Sequence, residues 1–176
     1  MITKELASGL SFSSSTPRDE AIDVLARRCG PRACSIARSL VGDAAQAEEL
    51  VQEALVRTYE RFDQLRDTAA LDAWFYRILT RLCLNSLRKR SRWQRFVARW
   101  RPTEPIANAP CGDLDRLRSA VAELPDRQRL AVVLRYGNDF SLSEVAAALD
   151  VAPATAKTHL IRALKRLRDL LGVSDD

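Results

Sequence analysis

The sequence predicts an all-α protein of two small helical domains joined by a flexible linker. Three observations carry that prediction. Apolar residues recur at helical spacing along most of the 176 residues, and no alternating strand pattern appears. Between residues 93 and 113 that periodicity lapses, and Pro102, Pro105 and Pro110 forbid a continuous helix. Beyond the break, four short apolar patterns are separated by turn and capping residues, the last two spaced as a helix-turn-helix.

The elements follow in order. Residues 1–18 have early charges, a Ser run and no apolar core, so they read as a disordered lead rather than a signal peptide. The first domain spans 19–92. Over 21–40, Ile22, Leu25, Ala26, Cys29, Ala33, Ile36, Ala37 and Leu40 mark a helix that Gly30-Pro31 should interrupt or kink. Gly42-Asp43 is a turn. A long amphipathic helix over 44–62 has Val51, Leu55, Tyr59 and Phe62 on one stripe. Its early acids, Glu48, Glu49 and Glu53, suit the positive end of a helix dipole. Residues 63–70 form a polar loop. A helix over 71–90 follows, with Leu71, Trp74, Phe75, Ile78, Leu82 and Leu87 as its apolar set.

The linker covers 93–113, with Trp93, Phe96 and Trp100 on a helical extension at its front. Fully extended, it reaches roughly 60–70 Å at ~3.3 Å per residue. The second domain spans 114–172. Leu114, Leu117, Val121 and Leu124 mark its first helix. Pro125 fits the first position of the next, whose core face is Leu130, Val133 and Leu134. Gly137-Asn138-Asp139 ends that helix. Ser141-Leu142-Ser143-Glu144 is a capping box that starts the third. Val145, Ala146 and Leu149 bury it, and Pro153 opens the fourth.

Charge is segregated although the net value is only +5. Between Arg77 and Arg101 lie nine basic residues and no acid; between Lys157 and Arg168 lie five and no acid. Asp43, Glu48, Glu49 and Glu53 form an acidic run without a base. Two polyanion contacts and one basic partner fit this order. Cys29, Cys34, Cys83 and Cys111 lack metal-ligand spacing and read as free thiols, so neither a metal site nor a cofactor is expected. The one histidine, His159, lies within the last helix, and no catalytic constellation assembles around it, so the chain does not read as an enzyme. No window is long enough to span a membrane.

In the last helix, Ala156, Leu160, Ala163 and Leu167 form one stripe, which should face the core. The opposite face presents Thr155, Lys157, Thr158, Ile161, Arg162 and Lys165. Lys and Arg neutralise phosphates, while Thr and Arg reach base edges in a major groove. Such a face is the duplex-reading surface of a helix-turn-helix.

At this point the chain resembles the bacterial sigma-70 family, in its compact extracytoplasmic-function (ECF) group. The resemblance covers residues 21–171. It is carried by Ala47-Glu48-Glu49-Leu50-Val51-Gln52-Glu53, Trp74-Phe75-Tyr76-Arg77-Ile78 and Leu87-Arg88-Lys89-Arg90 in the first domain. In the second it is carried by Leu124-Pro125-Asp126-Arg127-Gln128-Arg129, Leu134-Arg135-Tyr136, Glu144-Val145-Ala146 and Thr155-Ala156-Lys157-Thr158.

The resemblance implies a promoter-specificity subunit of RNA polymerase. It implies that Asp43, Glu48, Glu49, Gln52 and Glu53 dock on the β′ clamp helices of core polymerase. It implies that Tyr76, Arg77, Arg81, Asn85, Arg88 and Lys89 capture the melted −10 strand; Trp74, which shares a stripe with Ile78 and Leu82, reads as core instead. It implies that the linker threads the polymerase channels, and that the second domain meets the β flap and reads the −35 element through the last helix. Further implied partners are promoter DNA and an anti-sigma factor. The implied location is the cytoplasm, without membrane insertion, or the membrane face when an anti-sigma factor holds it there. The chain departs from the family pattern at four positions: Arg81 stands where Asn is frequent, Asp150 where Gly is common, Ala152 where a Ser cap is usual and Ala156 where Val is usual. A stand-alone helix-turn-helix regulator is the alternative, but it needs neither the acidic helix nor the basic, aromatic first domain, and no dimer seam is evident.

Overall fold

The computed structural model describes residues 16–65, 67–100 and 112–172, and for 94–100 only the main chain. Those residues hold seven α-helices and no strand. Residues 1–15, the prolines of the linker and Cys111 lie outside the described residues.

α1 (Pro17–Val41) starts earlier than its apolar period. Thr16 accepts from the Asp19 amide through Oγ1, and Asp19 accepts from the Thr16 amide at 2.8 Å. Pro17 fills the first helical position, where its missing N–H costs nothing. Residues 17 and 18 therefore belong to the helix and not to the lead. Gly30-Pro31 does not interrupt α1, which runs unbroken to Val41. The reason lies in which side Pro31 takes. It is exposed, so the carbonyl that its ring deprives of a partner can bind water, while Leu25, Cys29, Ala33, Ile36 and Ala37 stay buried on the other face. Gly42 ends the helix at φ 77°, a left-handed conformation for which glycine has no Cβ penalty.

Asp43 caps α2 (Ala44–Glu60), accepting from the Gln46 amide at 2.7 Å. The buried face is Ala47, Leu50, Val51, Ala54 and Thr58, whose hydroxyl donates to the Ala54 carbonyl at 2.7 Å. Tyr59, assigned to the apolar stripe, is exposed, and the Arg18 guanidinium covers its ring at 4.1 Å. Two 3₁₀ turns, Phe62–Gln64 and Thr68–Ala70, occupy most of the polar loop. α3 (Leu71–Trp100) then runs for 30 residues, through the first eight positions of the expected linker. Leu71, Phe75, Leu79, Leu82 and Cys83 bury it against α1 and α2.

α4 (Asp113–Ala122) is short, and Leu114 and Leu117 stay exposed; Ala120, and Leu124 just beyond, anchor it. Pro125 is the residue before α5 (Asp126–Gly137) rather than its first: its carbonyl accepts from Gln128 and Arg129. The Ser141–Glu144 capping box forms with both bonds, at 3.2 and 2.7 Å, and starts α6 (Leu142–Leu149). α6 ends at Asp150 in the left-handed conformation (φ 55°, ψ 52°) that the turn requires. α7 (Pro153–Leu171) has Pro153 at its first turn and Ala152 at its N-cap without a side-chain bond.

The two halves share one hydrophobic core. Phe140, on the turn between α5 and α6, is 2% exposed because the first half covers it. Its ring meets Tyr76 edge-on, centroids 4.9 Å apart, and the Arg32 guanidinium lies over its face at 4.0 Å. The Arg32 Nε also donates to the Asn138 carbonyl at 2.9 Å. Farther along the seam, the buried Thr80 hydroxyl donates to the Ala148 carbonyl at 2.6 Å.

Candidate nucleic-acid interface

α7 presents the predicted surface. Ala156, Leu160, Ala163 and Leu167 are buried, which turns Thr155, Lys157, Thr158, Ile161, Arg162 and Lys165 outward. All six are exposed; Ile161, at 58%, is an apolar side chain held in water on a basic face. Thr158 donates back to the Ala154 carbonyl at 2.9 Å, which leaves its oxygen lone pairs outward as acceptors. His159 is half-buried, and burial, with Arg127 and Arg162 adding to it, holds its imidazole below the ordinary value. It is neutral at pH 7 and adds no charge to the face.

The second basic surface lies on α3. Arg77, Arg81, Asn85 and Arg88 recur at three- and four-residue spacing, which places them on one helix face. Arg81, Asn85, Arg88 and Lys89 are exposed and Arg77 is half-buried. Trp74 is partly buried and packs on the core, as its stripe predicts. Tyr76 differs from its expected place. It is 6% exposed, wedged between Phe75 and Phe140, and burial raises its phenol well above the ordinary value. It packs the seam here and offers no surface to a strand. Its contact with Phe140 is supplied by the second half, which the local sequence does not show. Arg90, part of the same basic run, donates to the Val41 carbonyl at 2.9 Å and ties α3 to the end of α1.

The acidic surface is on α2. Glu48, Glu49, Gln52 and Glu53 are exposed on the face away from the core, with Glu53 paired to Arg57 at 2.6 Å. Asp43 is exposed as well, and its carboxylate also caps the helix through Oδ1.

Sequence reasoning missed the residues of the seam. Asp150 receives Arg81 at 2.5 Å and Arg77 at 3.2 Å. The Arg81 hydrogen bond, seconded by Arg77, holds its carboxyl below the usual range. Arg32, Thr80 and Phe140 complete the contact. Their partners lie 64 to 108 residues away, and the one signal within reach was the presence of Asp at a position that needs left-handed geometry.

Among the described residues, no group of His, Cys, Asp and Glu could hold a metal ion, and no helix is long and apolar enough to cross a membrane.

Comparison with known proteins places both halves. The family model for Sigma-70 region 2 matches residues 25–93, and that for Sigma-70, region 4 matches 114–167. The RNA polymerase sigma-E factor of Streptomyces coelicolor is 35% identical over 153 residues, 79% of each chain. The ECF RNA polymerase sigma factor EcfG of Rhodopseudomonas palustris is 34% identical over 155 residues, 86% of this chain and 84% of its own. Among solved structures, the sigma factor RpoE in complex with the anti-sigma factor NepR from Bartonella quintana superposes with a TM-score of 0.62 at 30% identity, covering 90% of this chain and 98% of that one. CnrH in complex with the cytosolic domain of CnrY gives a TM-score of 0.65 at 22% identity, a likeness of fold. A stand-alone regulator is not favoured by these matches, since it has no use for region 2. With an acidic helix, a basic α3 and a helix-turn-helix in the order of two regions of one family, the chain belongs to the sigma-70 family of RNA polymerase promoter-specificity subunits, in its ECF group.

Proposed function

We propose that the two basic surfaces divide the reading of one promoter between them. Residues 114–172 read the −35 duplex through the outward face of α7. Lys157, Arg162 and Lys165 neutralise phosphates and set affinity; Thr155, Thr158 and Ile161 meet base edges and set sequence preference. Residues 19–92 hold the melted −10 strand. Arg77, Arg81, Arg88 and Lys89 contact its phosphates, and Asn85 donates and accepts at a base edge. Tyr76 joins that surface only when Phe140 has left it. Glu48, Glu49, Gln52 and Glu53 meet the basic clamp helices of β′, an electrostatically complementary contact, and the second half lies against the β flap.

The observation that carries this reading is α7 itself: six polar, basic or apolar residues point outward over a buried stripe of two alanines and two leucines. The chain acts by binding and catalyses no reaction of its own. It works in the cytoplasm, and an anti-sigma factor, the kind of partner seen with RpoE of Bartonella quintana, keeps it from polymerase.

Run-off transcription tests the reading. Purified core polymerase, this protein and a pool of promoter fragments should give transcripts only when all are present, while the protein alone binds the fragments weakly. Tight, specific duplex binding by the protein alone, with no transcript from core polymerase, overturns it.

A further inference from the structure

We propose that Asp150 occupies Arg77 and Arg81 in place of a nucleic-acid phosphate, so that the −35-reading half masks the −10-reading arginines in the free chain. The inference rests on the reading that those arginines face the −10 strand, and goes beyond it by giving them a resident competitor within the same chain.

The geometry is that of an anion site already filled. Arg81 reaches one carboxylate oxygen of Asp150 at 2.5 Å and Arg77 reaches the other at 3.2 Å. Two guanidinium groups on two oxygens of one anion is the arrangement they would adopt on a phosphate. Asp150 does not stand alone. It is the C-cap of α6, and the C-terminus of a helix carries partial negative charge. One of the last carbonyls of that helix, Ala148, accepts from Thr80, which lies between the two arginines on α3. A carboxylate and a helix end together set negative charge against the run where a strand would lie.

Asp150 is also costly where it stands. Its φ of 55° is a conformation that favours glycine, and a glycine there would complete the turn without strain. Its partner Arg81 lies 69 residues away in sequence, so the contact belongs to the closing of the halves and not to the local turn.

The closed seam and promoter reading exclude each other. The centres of the −35 and −10 elements lie about 25 base pairs apart, roughly 85 Å at ~3.4 Å per pair. Asp150, at the helix-turn-helix break, cannot remain in contact with Arg81 while α7 and α3 sit at the two elements. Release of the arginines and separation of the halves are one event.

The test uses the full chain and three variants: Asp150→Asn, which keeps a side chain tolerant of left-handed geometry, Asp150→Gly, and Asp150→Asn combined with Arg77→Gln and Arg81→Gln. The probe is a short fluorescein-labelled single strand of mixed sequence, titrated over a range of salt. Freed arginines should each neutralise one phosphate, so the slope of log affinity against log salt should steepen by about 1.4 in D150N and D150G, at ~0.7 per phosphate. Affinity at low salt should rise several-fold, and the triple variant should return to the wild-type slope or below. X-ray scattering runs in parallel and should show a larger radius of gyration for D150N than for wild type. Unchanged slope and unchanged radius in both single variants overturn the proposal. A larger radius with an unchanged slope leaves Asp150 as the fastening of the seam and removes Arg77 and Arg81 from the −10 assignment, so that the reading and the competitor fail separately.

Discussion

Replacement of Phe140 by Ala should loosen the two halves from each other. Phe140 belongs to the second half by sequence and to the first by packing. Its backbone bonds are local: its amide donates to the Leu134 carbonyl at 3.1 Å, and its carbonyl accepts from Arg135 at 2.7 Å. Both survive in Phe140→Ala, so the turn keeps its shape. What disappears is the ring. Truncation of a buried Phe costs ~3–5 kcal/mol in all. The share that belongs to the seam is the edge-on contact with Tyr76, about 0.5–1.5 kcal/mol, the Arg32 cation–π contact, about 1 kcal/mol, and part of the area burial. About 2–3 kcal/mol off the seam lowers the closed-to-open ratio roughly 30- to 150-fold.

Urea unfolding followed by two probes reads this out. All three tryptophans, Trp74, Trp93 and Trp100, lie upstream of residue 112, so fluorescence reports α3 while circular dichroism reports every helix. The wild-type chain, with one core, should give coincident transitions. Phe140→Ala should separate the two probes and lower the apparent m-value, because each half then unfolds alone. A double-mutant cycle with Arg32→Ala should give a coupling of about 0.5–1 kcal/mol. Coincident transitions with an unchanged m-value and a loss below about 0.5 kcal/mol would refute the aromatic socket as the joint.

Four further outcomes are expected. Ala152→Ser supplies the missing N-cap of α7 and should add ~1 kcal/mol, about 2–4 °C in thermal midpoint for a chain of this size; an unchanged midpoint would mean that the helix start is already satisfied. Lys157→Ala and Arg162→Ala should each cut the salt slope of duplex binding by the holoenzyme by about 0.9; a slope that stays put removes that residue from the phosphate contacts. Cys83 is buried, and burial pushes its thiol well up from the ordinary value, so a thiol reagent should modify it only on unfolding; rapid reaction in the native protein contradicts its burial.

The fourth concerns pH. His159 is held below its ordinary value by burial, so the unfolded chain binds that proton more readily, and stability should decline as pH falls below about 6.5. Asp19, Glu144 and Asp150 are held below the carboxylate range by their hydrogen bonds. Their contribution is intact above that range and is lost as pH falls through their lowered values, which gives a second, acid decline below about pH 4. His159→Gln should abolish the first decline and spare the second.

Much of the fold was legible because local chemistry decided it. The Ser141–Glu144 box, the left-handed Asp150 and the buried stripe of α7 each need only neighbours a few residues away. The basic tail of α3 has little apolar period, yet its Arg residues are good helix formers and carry the expected helical extension to Trp100. One reading misled for a physical reason. Pro31 reads as a breaker in sequence, but on the outer face of α1 its lost bond faces water. The exposed groups of α7 could be read from spacing alone. The seam could not, since Tyr76, Arg77 and Arg81 meet Phe140 and Asp150 only when α6 and the turn before it fold back on α3.

The length of α3 has a consequence for how the halves part. Only 12 residues separate Trp100 from Asp113, so the second half is leashed on a tether of at most ~40 Å. A short tether gives effective concentrations in the millimolar range. Closing is therefore a unimolecular step that dilution does not reverse. Polymerase at far lower concentration cannot open the chain by abundance. It must displace the seam through the free energy of a larger contact, and each contact removed from the seam should appear directly as tighter holoenzyme assembly.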